Sequence, residues 1–141
     1  MRKLRTILLS AAVLSGTAIS AYAMGAAGGL SVSGSDQDVS GGKVTASKVV
    51  AAADGWLVVH RTGDDMKPGP VIGHAMLKAG DNMDVTAELT EPVKSGEKLM
   101  LMLHGEEGGK QAGVFEYYLG AKEDGPVRVD GKLVMTVITA K

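Results

Sequence analysis

Three histidines and a group of methionines are the residues of this chain best equipped for chemistry. His60, His74 and His104 each fall on or at the end of a short apolar stretch. If Lys98–His104 is a strand, Leu99, Leu101 and Leu103 share one face, while Met100, Met102 and His104 share the other. In Val71–Leu77 the same alternation groups Ile72, His74 and Met76. Imidazole is a borderline donor and thioether a soft one. Together they suit copper, above all Cu(I), in an exported chain without thiols. The candidate metal ligands are therefore His60, His74, His104, Met100 and Met102, with copper as the ion. The competing reading is structural: methionine is an adaptable core filler, and a histidine at a strand end often does no more than bond to a loop. Neither a His-x-His nor a Met-x-x-Met array is present to decide between them.

Carboxylates offer less. Glu106, Glu107 and Glu116 lie near His104 in sequence, and a Glu–His pair can do acid–base work. A hydrolase centred on His104 and Glu116 is a distant alternative, because no Gly-x-Ser-x-Gly elbow accompanies the pair. Asp64-Asp65 and Asp81-Asn82-Met83-Asp84 place hard oxygen donors in loops, but neither approaches an EF-hand, and Asx residues beside glycine form turns. Trp56, expected to pack in the core, and the split aromatics of Phe115-Glu116-Tyr117-Tyr118 make a poor stacking platform for sugar or nucleic acid. Fifteen basic against sixteen acidic residues also leave no positive field for nucleic acid.

The elements that must position these groups read as strands. Apolar stretches at Lys43–Ala51, Gly55–Arg61, Val71–Leu77, Lys98–His104 and Val114–Leu119 are separated by glycine-containing turns. Met83, Val85, Ala87 and Leu89 alternate with Asp84, Thr86 and Glu88, the pattern of a half-buried strand. Asp130-Gly131 between Val127–Val129 and Lys132–Thr139 predicts a type I′ hairpin turn. No segment shows a capped helical period. The expected fold is all-β: an antiparallel β-sandwich of seven or eight strands with an apolar interior.

The first 23 residues read as an export signal rather than as part of that fold. Arg2, Lys3 and Arg5 precede an uncharged run from Thr6 to Ser20, which ends in Ala21-Tyr22-Ala23, so cleavage is expected before Met24. Residues 24–42 read as a flexible Gly/Ser/Ala-rich lead-in or an edge strand, and residues 43–141 as the β-sandwich domain. Cleavage removes three basic residues and leaves twelve against sixteen acidic ones, a net charge of −4. No later apolar stretch is long enough to span a membrane, and the absence of cysteine excludes disulfides and thiolate sites. A periplasmic or secreted location is expected.

Asp36-Gln37, Gly42-Lys43-Val44-Thr45 and Asp54-Gly55-Trp56-Leu57-Val58-Val59-His60 occur in order along the chain. Pro68-Gly69-Pro70-Val71-Ile72-Gly73, Leu101-Met102-Leu103-His104 and Asp124-Gly125-Pro126-Val127 continue the series. This order resembles a family of exported domains of unknown function from archaeal and bacterial surface or secreted proteins, over about Ser35 to the end. The resemblance implies an immunoglobulin-like or cupredoxin-like sandwich and no assigned activity. The loop Gly105-Glu106-Glu107-Gly108-Gly109 has Glu where that pattern usually has Asp. The leading expectation is a non-catalytic binding, adhesion or envelope-associated module with an envelope or extracellular partner. The copper-binding protein is its rival.

Overall fold

The computed structural model describes residues 29–118 and 121–141; the expected export signal and its cleavage site lie outside them. Nine strands run through the described residues: β1 Ser31–Ser33, β2 Lys43–Ala51, β3 Gly55–Thr62, β4 Val71–Leu77, β5 Gly80–Leu89, β6 Lys98–Gly105, β7 Arg128–Val129, β8 Lys132–Leu133 and β9 Met135–Thr139. Seven form one antiparallel sheet in the order β1-β2-β5-β4-β3-β6-β9, and β7 and β8 make a separate hairpin. The domain is all-β, as the alternation predicts. Its two layers are halves of one sheet that curls until β1 lies against β9. Asp36 and Gln37 help to close it. Thr139 donates its amide to the Asp36 carboxylate, Gln37 bridges to Ala140, and the Gln37 amide group exchanges two hydrogen bonds with the Thr45 backbone.

The interior of the curl is apolar throughout: Val44, Ala46, Val49, Leu57, Val59, Ile72, Leu99, Leu101, Leu103 and Ile138 meet there. Each Val, Leu or Ile side chain contributes about 1.5–3 kcal/mol by leaving water. β3 and β6 differ from the other strands in being buried along almost their whole length, on both faces. Something must therefore cover their outer face. That cover is the segment between β6 and β7.

Three expectations are corrected here. Val114–Tyr118, the described part of the predicted Val114–Leu119 strand, is irregular. Amides here and just before it turn to loop acceptors instead of a neighbouring strand: Gly113 N–H bonds to the Glu106 carboxylate at 2.6 Å, and Glu116 N–H to the Asp124 carboxylate at 2.7 Å. Met83 is 64% exposed. The inward positions of β2 switch phase across Ser47-Lys48, and Asp84 beside this point takes φ 49°, so the inward alternation of β5 ends at Val85. Ile72 does not share a face with His74 and Met76. The β3–β4 register slips between Val59 and His60, pairing Val59 with Gly73 but His60 with Val71. Ile72 is the extra residue of that bulge and packs into the core. The Asp130-Gly131 turn is as expected, with φ 53° and 79°.

Candidate functional site

The outer face of β3 and β6 carries the chemistry. Register places Trp56 opposite His104, Val58 opposite Met102, and His60 opposite Met100. On the far side of β6, Met135 faces Met102 and Val137 faces Met100. His60 and His104 thus stand at opposite corners of a small lattice, with Met102 and Val58 on the row between them. Their rings lean toward each other along the strands until the two Nε2 atoms are 3.4 Å apart. Both residues are fully buried, as are Met100 and Met102.

Each ring is fixed at its other nitrogen by a main-chain carbonyl. His60 Nδ1 is 2.7 Å from the Gly69 oxygen, and His104 Nδ1 is 2.7 Å from the Asp124 oxygen. Gly69 reaches this position because its backbone lies directly on β3: its amide bonds to the Arg61 carbonyl at 2.8 Å, and a Cβ there would come within 2.6 Å of that oxygen. Only glycine allows so close an approach. Asp124 holds φ 46°, a conformation that Asp tolerates better than most side chains, and this directs its carbonyl at His104.

Counting protons exposes what the pair requires. The chain of contacts runs from carbonyl to Nδ1, from Nε2 to Nε2, and from Nδ1 to carbonyl. Each of the three contacts needs one proton, because carbonyl oxygens and bare ring nitrogens only accept. Two neutral imidazoles bring two. With both protons on Nδ1, two lone pairs face each other at 3.4 Å, a separation beyond the usual hydrogen-bond range of about 2.7–3.2 Å. Whichever tautomers the rings take, the chain of three contacts is one proton short. A proton is a poor occupant at neutral pH: burial pushes His104 down to about 4, the charge of His60 adds to that, and burial lowers His60 as well.

Aromatic rings complete the enclosure. Tyr117 packs edge-on to His104 at 4.5 Å and to His60 at 6.1 Å between centroids. Phe115 lies against Trp56 at 5.3 Å and His104 at 6.3 Å. Trp56 is buried here, beneath the cover, rather than in the main core, and its Nε1–H points at Glu106 Oε1. Behind His104, the fully buried Asp124 accepts the Glu116 amide through Oδ2, while Oδ1 has no partner among the described residues. Burial, reinforced by Glu106 and Glu116, pushes the Asp124 carboxyl up from its ordinary value.

Of the five expected ligands, His60, His104, Met100 and Met102 share this buried face. His74 does not join them; it is exposed and stacks on Phe115 at 4.5 Å. The Glu116 carboxylate is taken up by the Gln111 amide at 3.0 Å, which draws its pKa down, so it serves the cover loop and not His104. Asn82 bonds to its own turn through Lys78 and Gly80, and Asp64 pairs with Lys98, in keeping with turn and surface roles. Among the described residues, no three His, Asp or Glu side chains converge as a metal-binding group. Gly69, Asp124, Phe115 and Tyr117 are the site residues that sequence alone missed. The breaks Pro68-Gly69-Pro70 and Asp124-Gly125-Pro126 mark where two of them sit.

No curated protein and no solved structure matches the chain. A family does: over residues 30–141, most of its length, the chain belongs to the domain of unknown function DUF7282.

Proposed function

We propose that this chain is an exported, non-catalytic β module whose cargo is a soft monovalent metal ion, copper(I), bound between His60 and His104. The observation that carries the reading is the 3.4 Å between two Nε2 atoms whose rings are each fixed by a carbonyl at Nδ1. Two nitrogens 3.4 Å apart, each about 2.0 Å from one ion, subtend about 115° at it. That is an angle between trigonal and tetrahedral, which leaves room for a third donor. Met102 occupies the intervening row, and Met100 lies opposite His60. Carbonyl bonds at Nδ1 are the outer partners that orient metal-bound imidazoles.

Charge and softness select the ion. A monovalent cation between the rings would supply the one charge that the three contacts are short of, and the nearby donors are neutral nitrogen and sulfur. This set favours Cu(I) over a divalent ion that prefers carboxylate or thiolate. A role confined to surface binding gives no reason for two buried imidazoles to bring their Nε2 atoms together, so this feature separates the two functions. Anaerobic titration with Cu(I) against a competing chelator tests the proposal. One ion should bind per chain with better than micromolar affinity, and His60→Ala or His104→Ala should weaken it about a hundredfold or more. Binding no tighter than micromolar in the unaltered protein would remove the reading.

A further inference from the structure

The aromatic cover is open at one edge. A surface cleft lined by Pro70, Val71, Gly73, His74, Phe115 and Tyr117 runs up to it. Its inner wall therefore includes the two rings that shield the histidine pair. At its rim stands His74, with its ring held between Phe115, stacked at 4.5 Å, and Trp56, edge-on at 5.4 Å. Two residues along β4 is Met76, which is 57% exposed.

Register turns these neighbours into a graded array. Met76, Trp56 and His104 form one row across β4, β3 and β6, and His74, Val58 and Met102 form the next. In each row the donor on β4 is exposed and the donor on β6 is buried. Phe115 is the ring common to both ends, touching His74 outside and His104 within.

We infer that His74 and Met76 form an acquisition port, where a soft monovalent ion is first held at the surface and from which movement of Phe115 admits it to His60 and His104. The inference rests on the copper reading above and adds a second, external site to it. An imidazole and a thioether on an open strand give two soft donors without enclosure. Such a site captures and releases quickly, whereas the buried pair retains.

Two measurements test the port. In the first, anaerobic stopped-flow mixing follows Cu(I) passing from a coloured chelator to the protein. In a His74→Ala/Met76→Leu variant, both changes being at exposed positions, loading should slow about tenfold while the final affinity stays within about threefold. An unchanged loading rate would overturn the port. So would an affinity loss as large as that of His104→Ala, since it would make His74 and Met76 ligands of the retained ion. In the second, Ag(I), a redox-inert stand-in for Cu(I), is titrated into the unaltered protein and the histidine and methionine side-chain NMR signals are followed. His74 and Met76 should respond in fast exchange, and His60, His104 and Met102 in slow exchange. Response at the deep signals with silence at His74 and Met76 would overturn the port alone. Response only at His74 and Met76 would overturn the buried centre, and the port with it.

Discussion

The two faces of the β3–β6 strand pair are equally buried and built on opposite terms. The inward face presents Leu57, Val59, Leu99, Leu101 and Leu103 to other strands of the same sheet. Apolar groups meet apolar groups there, and no polar atom has to be satisfied. The outward face presents Trp56, His60, Met100, Met102 and His104 to an irregular segment. That segment must bring a carbonyl to His104 and carboxylates to its own amides, while Gly69 of the β3–β4 loop supplies the carbonyl for His60. One face is closed by sheet geometry, the other by individually placed polar contacts. The inward face should therefore govern whether the chain folds, and the outward face what it holds.

Breaking the inward face should have the largest effect. Leu101→Ala leaves a cavity in a fully buried site and should lower unfolding free energy by about 2–5 kcal/mol, measured by urea denaturation. Copper affinity of the fraction still folded should be unchanged; a parallel loss of affinity would mean that the two faces are not separable. Acid comes next, and acts through the outward face. His104 titrates at about 4 when folded, against 6.5 ordinarily. Between those values the unfolded chain takes up a proton that the folded chain refuses, so stability falls as pH drops through this window. The loss from His104 approaches about 3 kcal/mol by pH 4, and His60, also lowered by burial, adds to it. The raised Asp124 carboxyl works in the opposite sense above its unfolded pKa. Urea midpoints that stay flat from pH 7 to pH 4.5 in the metal-free protein would contradict the buried neutral pair. A smaller change separates holding from folding. Met102→Leu keeps volume and should cost less than about 1.5 kcal/mol of stability. The same substitution should weaken Cu(I) about tenfold in chelator competition by removing the sulfur on the intervening row. Equal affinity would transfer the third-donor role to Met100.

How much of each face was legible in the sequence follows the same division. Alternation in Lys98–His104 assigns Leu99, Leu101 and Leu103 to one face and Met100, Met102 and His104 to the other, as the structure has them. Asp130-Gly131 names its own turn type. Periodicity is blind to one extra residue, so the bulge that carries Ile72 inward and leaves His74 and Met76 outside could not be read. Nor does a local pattern state that His60 and His104, 44 residues apart, meet at Nε2, because that depends on β3–β6 register. The cover was least legible of all. Val114–Tyr118 has the composition of a strand, but the amides of Gly113 before it and Glu116 within it bond to Glu106 and Asp124, and nothing in a short window reports such partners.

The smallest expected effect concerns the point where the cover's polar contacts are incomplete. Asp124 contributes a carbonyl to His104, which any residue supplies, and a carboxylate oxygen to the Glu116 amide, which an amide oxygen can replace. Its second oxygen is buried without a partner among the described residues, and its carboxyl resists ionisation. Asp124→Asn keeps the shape, tolerates the positive φ and exchanges the charge-prone oxygen for an N–H2 donor. At pH 7 the variant should be as stable as the original chain or more so by up to about 1 kcal/mol. The sign follows from the raised pKa: at neutral pH the unfolded chain ionises Asp124 freely, whereas the folded chain must either bury the charge or retain a proton. Below the unfolded pKa of about 3.8 both states hold the proton and the advantage should vanish. Urea denaturation at pH 7 and at pH 3.5 reads both limits. A loss of more than about 1 kcal/mol at pH 7 would show that the carboxylate is charged and engaged, and the cover would then be held by an ionic contact instead of neutral hydrogen bonds.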